Sequence, residues 1–219
     1  HIGSQIFDFK VFHKTYYELK KLAVSLKNQG FKVDNLDLGG GFGVNYQKFE
    51  MTNFNNLKKI LTELFCNSDF NINVEPGRAL LADSGTLITK VIRTKKTLTK
   101  QFLIVDAGMN DFIRPTLYNA THRFEPLKKE ENRVSKIYDI VGPICETGDF
   151  FGLSINMQKM FKNEILGIMS VGAYGSVMSS NYNARPDIAE IIIHKGKDFV
   201  LRKRQTIEKL IEKDIIPNF

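Results

Sequence analysis

Hydrophobic positions in the first third of the chain follow helical and strand spacing in turn. Between residues 11 and 28, apolar side chains recur every three or four positions and Gly30 follows, which predicts one amphipathic helix. Residues 33–38 then predict a buried strand. A second helix is marked by apolar spacing over residues 57–65, and a second strand by residues 70–74. This alternation predicts parallel β/α units.

The pattern changes after about residue 84. Strand-like segments follow one another with few helical stretches between them, at residues 86–94, 101–106, 134–141, 165–171 and 188–194. A closing helix is predicted for residues 206–213. We therefore expect two domains, an α/β domain over residues 1–83 and a mainly β domain over residues 84–219.

Five turns that contain glycine each carry a chemically distinct side chain. They are His1-Ile-Gly-Ser4, Gly39-Gly40-Gly41-Phe-Gly43, Glu75-Pro-Gly-Arg78, Cys145-Glu-Thr-Gly-Asp149 and Gly172-Ala-Tyr174-Gly. Such turns are typical of a ligand site built from loops on a rigid scaffold. In a (β/α)8 barrel, loops at the carboxyl ends of the strands form the catalytic rim, and late loops commonly hold phosphate.

The second and third motifs favour an anionic ligand. Backbone N–H groups of Gly39–Gly43 could converge on phosphate oxygens, although a tight strand exit without a ligand is the alternative. The motif is not the dinucleotide pattern, because Val44 stands where its last glycine belongs. Arg78 offers a bidentate fork for phosphate or carboxylate, and a local ion pair with Glu75 is the alternative.

The later motifs favour proton transfer and carboxylate binding. Cys145, which precedes Glu146, is a competent proton donor if partly exposed, and a buried structural cysteine is the alternative. Arg114 and Tyr118 could hold a substrate carboxylate, or could pack as a surface pair. Three histidines have no metal-ligand spacing and are expected to be ordinary polar or surface residues: His13, His122 and His194. No metal site is predicted.

Composition narrows the class of protein. The chain is 42% apolar and 25% charged, as in a soluble globular protein. Its formal charge of +7 is spread diffusely, which argues against nucleic-acid binding and favours attraction of a small anion. No apolar run approaches a membrane helix. The two cysteines are far apart in sequence, so we expect a reducing cytoplasm and no disulfide scaffold.

In order along the chain, several segments resemble the fold-type III pyridoxal phosphate decarboxylases, and within them the diaminopimelate decarboxylases. The segments are HIGSQI, LDLGGGFGV, EPGR, VDAGMNDFIRPTLYNATH, GPICETGD and GAYGSVMSSNYNARP. Thr147 stands where this family usually has serine. The resemblance implies the C-terminal part of a (β/α)8 barrel over residues 1–83, followed by a sandwich-like or barrel-like β domain.

The resemblance also implies residue roles around pyridoxal 5′-phosphate. His1 stacks on the ring, Glu75 pairs with the pyridine nitrogen, and Cys145 returns the proton. The remaining implied cofactor contacts are Ser4, Gly39, Gly40, Gly41, Gly77, Arg78 and Tyr174. The implied substrate contacts are Arg78, Arg114, Tyr118, Glu146 and Tyr174.

At the level of the whole enzyme, the resemblance implies decarboxylation of meso-diaminopimelate to L-lysine and CO2. It implies a homodimer whose Cys145–Glu146 loop reaches the partner's barrel. The family's lysine that forms a Schiff base with the cofactor has no match in sequence context here. We therefore expect it in an N-terminal half upstream of His1, and expect the chain alone to be inactive.

Two alternatives remain open. One is a related decarboxylase of ornithine, arginine or lysine, which would have no use for a cation that binds a distal carboxylate. The other is a catalytically inactive homologue that regulates a partner. Retention of Cys145, Glu75 and Arg78 argues against the second alternative.

Overall fold

The computed structural model describes residues 1–48 and 52–217. The chain divides into two compact units, residues 1–85 and residues 86–219. Unit 1 is an α/β unit with parallel strands, and unit 2 is built mainly from strands. None of the helices in the described part of the chain has the length and apolar character needed to cross a membrane.

Unit 1 alternates helices and strands. Its helices are α1 (Phe9–Asn28), α2 (Asn55–Phe65) and α3 (Gly77–Leu81), followed by a 3-10 turn at Ala82–Ser84. Strands β1 (Asn35–Gly40) and β2 (Asn71–Glu75) pair in parallel, as the sequence pattern predicts. Helix α1 begins after Asp8, whose carboxylate accepts a hydrogen bond from Lys10 N at 2.9 Å.

The core of unit 1 forms where the apolar faces of α1 and α2 meet the strands. Leu22 is an exception to the predicted face of α1, because its side chain is exposed. The buried stripe of α1 runs through Phe12, Tyr16 and Ala23, and Leu22 lies beside it. The buried members of this core are Phe12, Tyr16, Ala23, Leu36, Leu38, Phe42, Leu57, Ile60, Leu64 and Phe65.

Unit 2 contains a six-stranded sheet and a separate hairpin. The strands are β3 (Thr86–Lys96), β4 (Gln101–Val105), β5 (Phe124–Pro126), β6 (Ser135–Val141), β7 (Phe150–Gln158), β8 (Ile165–Met169), β9 (Glu190–His194) and β10 (Lys197–Arg202). The sheet order is β5-β8-β3-β4-β6-β7, in which only the β4–β6 pair is parallel, and β9 pairs with β10 in the antiparallel hairpin. The prediction of a mainly β second half is confirmed.

Three strands of unit 2 lack a clear sequence signal. Strand β5 has three residues and ends in Pro126. Strand β7 contains Gly152 and Ser154, and Ser154 has a left-handed backbone with φ 55°. The register between β6 and β7 shifts next to these positions, so the alternation of buried and exposed residues is broken. Strand β10 is exposed along its whole length.

Two further helices complete unit 2. Helix α4 (Arg114–Tyr118) ends at Asn119, which has a left-handed backbone. Helix α5 (Ile207–Ile211) is capped by Thr206, whose hydroxyl accepts from Lys209 N at 3.3 Å. Short 3-10 turns occur at Ser176–Met178 and Tyr182–Ala184. The buried core of the unit is made by Leu87, Val91, Leu103, Val105, Ala107, Phe112, Phe124, Tyr138, Ile140, Phe151, Met157, Met160, Leu166 and Ile168.

Candidate functional site

The triple glycine of unit 1 is a crossing point of three chain segments. After β1, Gly41 O accepts a hydrogen bond from Ile6 N at 2.9 Å, and Gly43 N donates to Ile6 O at 3.0 Å. These two bonds form a short parallel bridge between Ile6 and Phe42. The first turn of the chain therefore lies directly beside the glycine turn.

The glycines permit backbone approaches that other residues would prevent. A Cβ atom on Gly41 would overlap the Gly3 carbonyl oxygen, and one on Gly40 would overlap the Glu75 carbonyl oxygen. Gly41 also has φ +95°, which L-residues rarely adopt. Three turns that the sequence predicts to be functional, around Gly3, Gly41 and Glu75, are thus in contact.

Arg78 extends this cluster with a cation. It is the second residue of α3, and this helix begins directly after Glu75 and Pro76. Its Nη2 donates to Ser4 Oγ at 3.1 Å and its Nη1 to Tyr46 Oη at 2.9 Å. Tyr46 has no signal in the sequence, because no spacing links it to a residue 32 positions away.

The other predicted cofactor residues of unit 1 surround the same turn. A Cβ on Gly39 would lie 3.1 Å from His1 Cα, so the first residue borders the glycines. Gly39 N is already bonded to Asp37 Oδ1 at 2.8 Å, which means that Gly39 shapes the turn and does not offer its N–H. A Cβ on Gly77 would meet open space. Glu75 is exposed at the end of β2.

In unit 2, the Cys145–Asp149 turn is held by a buried carboxylate. Asp149 Oδ1 accepts from Met109 N at 2.7 Å, and Asp149 Oδ2 accepts from Ile144 N at 2.6 Å. Burial raises the pKa of Asp149, although these two N–H groups oppose the shift. Cys145 and Glu146 lie on the exposed side of this fixed turn. The alternative of a buried structural cysteine is therefore not observed.

Two neighbouring side chains contact the exposed Cys145 and Glu146. Tyr182 Oη donates to Glu146 Oε2 at 3.4 Å, and Asn183 Nδ2 donates to Cys145 Sγ at 3.8 Å. The charge of Glu146 raises the pKa of Tyr182, with smaller contributions from burial, from the same hydrogen bond and from Cys145. Tyr182 and Asn183 lie in the segment GAYGSVMSSNYNARP, but no sequence pattern indicates a role for either residue.

Helix α4 adjoins the same turn through Thr116, whose hydroxyl donates to Gly148 O. Arg114 and Tyr118 lie on this helix, one turn apart. Tyr118 is exposed, whereas Arg114 is buried. The structure therefore brings Arg114 and Tyr118, which are predicted to bind a carboxylate, and Cys145, the predicted proton donor, into one region of unit 2.

Of the two options expected for His122, a polar or a surface residue, the surface location is excluded. His122 is buried, with Nδ1 2.9 Å from Met169 O and Nε2 3.1 Å from Arg114 Nη1. Because a carbonyl only accepts and a guanidinium only donates, Nδ1 carries the proton and Nε2 accepts. His122 thus orients Arg114. Across the described residues, no group of His, Cys, Asp or Glu is placed to hold a metal ion.

Tyr174 lies in a sharp turn after β8. Its backbone is left-handed, with φ 60°, and its side chain is exposed. The neighbouring Ala173 is buried, and a Cβ on Gly175 would overlap the Val171 carbonyl oxygen. The turn therefore directs Tyr174 outward from a packed base.

Comparison with known proteins identifies the class. Residues 9–172 match the family model described as pyridoxal-dependent decarboxylase, C-terminal sheet domain. The chain belongs to this family, so pyridoxal phosphate is the cofactor that its membership implies. Its relatives are pyridoxal phosphate-dependent decarboxylases.

Individual relatives narrow this class. Diaminopimelate decarboxylase of Aquifex aeolicus is 41% identical over 213 residues, which are 97% of this chain and 50% of the relative. A crystal structure from Aquifex aeolicus superposes with TM-score 0.94 at 41% identity, covering 98% of this chain and 54% of that one. Diaminopimelate decarboxylase of Helicobacter pylori, solved with L-lysine, gives TM-score 0.89 at 38% identity, covering 97% and 52%. The chain spans about half the length of the curated relatives it matches.

The residues present in unit 1 fit the phosphate of this cofactor. Phosphate binding requires N–H donors, a hydroxyl and a cation at one place. The glycine turn, the Ser4 hydroxyl and the Arg78 guanidinium meet this requirement within one cluster. The backbone approaches closely at Gly40 and Gly41 because neither residue has a side chain.

Proposed function

We propose that the chain carries the phosphate cradle and the catalytic loop of a diaminopimelate decarboxylase. One observation carries this proposal: the Arg78 guanidinium donates to Ser4 Oγ beside the crowded triple glycine. Residues 1–83 form the last part of a (β/α)8 barrel, which the parallel β1–β2 pair supports. Residues 84–219 form the β domain that supplies substrate loops.

Around the cofactor, this chain's residues bind and orient. Ser4, Gly41, Gly77 and Arg78 hold the phosphate, while Gly39 and Gly40 shape the turn. His1 stacks on the ring, Tyr174 contacts the cofactor and the substrate, and Glu75 keeps a proton on the pyridine nitrogen. When bound, pyridoxal phosphate supplies an electron sink for the pair left by departing CO2.

The Cys145 thiol delivers a proton to the carbon that has lost CO2. Support comes from its exposure and from its place on a turn that Asp149 fixes from below. A proton donor must reach the reacting carbon while its own backbone stays still. An exposed side chain on a clamped turn meets both requirements.

The proposed substrate class is an amino acid with a second charged end. Meso-diaminopimelate has a distal carboxylate and a distal ammonium. Arg114 and Tyr118 bind the distal carboxylate, and Glu146 binds the ammonium. Relatives that are named diaminopimelate decarboxylases support this choice over ornithine, arginine or lysine. A homodimer that shares the Cys145–Glu146 loop completes the proposal.

The test uses a chimera in which this chain replaces the matching stretch of the Aquifex aeolicus relative. Release of CO2 is measured with meso-diaminopimelate, ornithine and lysine as substrates. We expect preference for meso-diaminopimelate, and a much larger loss of turnover than of cofactor binding for Cys145→Ala. Cys66→Ala is the matched control, since Cys66 is also an exposed free thiol.

Each contrary result has its own meaning. Preference for ornithine would replace the substrate assignment. A chimera that folds and binds pyridoxal phosphate yet releases no CO2 would favour the inactive homologue. Equal loss of turnover and cofactor binding for Cys145→Ala would contradict the proton-donor role. The 219-residue chain is assayed in parallel and is expected to be inactive alone.

A further inference from the structure

Residues 180–187 form a segment, here called the strap, whose ends are tied at its base. Asn181 Nδ2 donates to Arg185 O at 2.9 Å and to Gln205 Oε1 at 2.7 Å. Gln205 Oε1 also accepts from Asp187 N at 3.0 Å. The strap is therefore a closed loop rather than an open connection between β8 and β9.

The base of the strap is attached to the turn at residues 106–111. Ser180 N donates to Asn110 O at 2.9 Å. Arg185 Nε donates to Asn110 Oδ1 at 3.0 Å, and its Nη2 donates to Asp106 O at 2.7 Å. Arg185 Nη2 also lies 3.6 Å from Oδ2 of the buried Asp111. One guanidinium thus joins three residues of that turn.

The same turn also supports the catalytic loop. Met109 N, in its middle, donates to Asp149 Oδ1. A Cβ on Gly108 would lie 2.8 Å from Ile144 Cδ1, so this turn packs directly on the residue before Cys145. The strap and the Cys145–Asp149 turn are therefore built on one common base.

The tip of the strap is the part that faces Cys145 and Glu146. Asn183 and Ala184 both have left-handed backbones, with φ 62° and 52°. Two adjacent non-glycine residues in this region are unfavourable and persist only when neighbouring contacts hold them. The tip nevertheless brings Tyr182 to Glu146 and Asn183 to Cys145.

We infer that Arg185 is a positioning residue that anchors the strap, and that Tyr182 and Asn183 thereby orient Glu146 and the Cys145 thiol. Glu146 and Cys145 are exposed, and exposed side chains without such contacts are free to change rotamer. The inference rests on the proposed function for its catalytic meaning. Its geometry concerns this chain alone.

Tyr182 supplies the readout, because the Glu146 charge raises its pKa only while the two groups are close. The 219-residue chain is labelled at the tyrosine Cζ carbons and titrated by NMR, with Tyr182→Phe used to assign the signal. Glu146→Gln gives the reference value for Tyr182 without the charge. We expect Arg185→Ala to lower the pKa of Tyr182 to this reference value.

Arg123→Ala is the matched control. Arg123 also lies in unit 2, pairs with Glu125, and has 27% side-chain exposure against 32% for Arg185. It should leave the pKa of Tyr182 unchanged. If Arg185→Ala does not fold, Arg185→Lys keeps a cation near Asp111 but cannot bond Asn110 Oδ1 and Asp106 O together, and should also lower the pKa of Tyr182.

Three results would overturn the inference. The first is an unchanged pKa of Tyr182 in a folded Arg185 variant. The second is an equal decrease of this pKa in Arg123→Ala, and the third is a pKa of Tyr182 that Glu146→Gln does not change. Failure of the chimera to release CO2 would refute the proposed function but would not alter this titration. The two proposals therefore fail separately.

Discussion

The two units build their functional turns from different parts of the polypeptide. In unit 1, the turn depends on main-chain atoms that approach closely because Gly40 and Gly41 have no side chain. In unit 2, the turn depends on polar side chains, above all the buried Asp149 and the half-buried Arg185. A turn that is built from main-chain atoms should be destabilised when atoms are added. A turn that is held by side chains should be destabilised when atoms are removed.

The chemistry of each region explains this difference. Phosphate has several oxygens that accept from backbone N–H groups, so a bare glycine turn suits it. A proton donor must instead be a side chain held at one point, so the turn beneath Cys145 needs fixed polar partners. The predictions below test this contrast in order of expected effect.

The largest effect is expected for Gly41→Ala. The added Cβ meets the Gly3 carbonyl oxygen and also takes a positive φ, so we expect a loss of roughly 4 kcal/mol in unfolding free energy. Gly30→Ala is the control, because Gly30 has φ +88° but open space around it and should cost only about 1 kcal/mol. Urea unfolding of both variants measures the difference. Similar values would show that crowding at the glycine turn is unimportant.

Asp149→Ala should have the next largest effect. It leaves the N–H groups of Met109 and Ile144 without their carboxylate, which costs about 3 kcal/mol. Amide hydrogen exchange at these two positions should accelerate. Asp37→Ala in unit 1 is the comparison, since Asp37 is exposed and binds Gly39 N, and it should cost about 1 kcal/mol. A larger loss for Asp37→Ala would reverse the contrast between the units.

Arg78→Ala tests the charged side chain of the phosphate cradle in unit 1, which also contains the Ser4 hydroxyl. Loss of a charge-assisted donor should weaken pyridoxal phosphate binding roughly tenfold, as measured by equilibrium dialysis. Lys32→Ala removes the same charge from an exposed pair with Asp34 and should not change affinity. Equal weakening by both variants would mean that net charge, and not the fork of Arg78, attracts the cofactor.

The smallest effect concerns pH and distinguishes two buried aspartates of unit 2. Burial raises the pKa of Asp149 above the usual 3.8. The folded unit then binds more protons than the unfolded chain above pH 3.8. The stability that this group contributes is therefore fully present below pH 3.8 and is lost as pH rises through its folded pKa.

Asp139 should behave in the opposite way. Burial also acts on its pKa, but the Lys100 ammonium and the Ser154 N–H together outweigh burial and lower it. Its contribution is present above pH 3.8 and is lost as pH falls through the folded pKa. In unfolding of Asp149→Asn and Asp139→Asn between pH 3 and 6 (roughly the carboxylate range), the difference from wild type should change with opposite slopes. Slopes of one sign would contradict this assignment.

Much of the fold follows from local patterns. The spacing of Phe12, Tyr16 and Ala23 predicts α1, and the strand before the triple glycine is found as β1. The change to consecutive strands near residue 84 predicts the mainly β second unit. Strands β5 and β7 escape prediction because proline, glycine and a register shift remove their alternation.

The candidate site is predictable as a set of residues but not as a set of partners. The glycine turns and their charged neighbours stand out in the sequence. The partnership of Arg78 with Tyr46, the burial of His122 against Arg114, and the role of Asp149 do not. Each of these contacts joins residues whose relative positions are not fixed by local backbone geometry.

The sequence by itself determined the alternation of helices and strands in unit 1, the change to consecutive strands near residue 84, the glycine turns and the family to which they belong. These features depend on residue type and short-range spacing, because helix and strand periods repeat within a few residues. Tertiary structure alone decided that Ser4 meets Arg78 across 74 positions and that Asn183 meets Cys145 across 38. Such contacts form only when packing of whole elements brings distant backbone segments together.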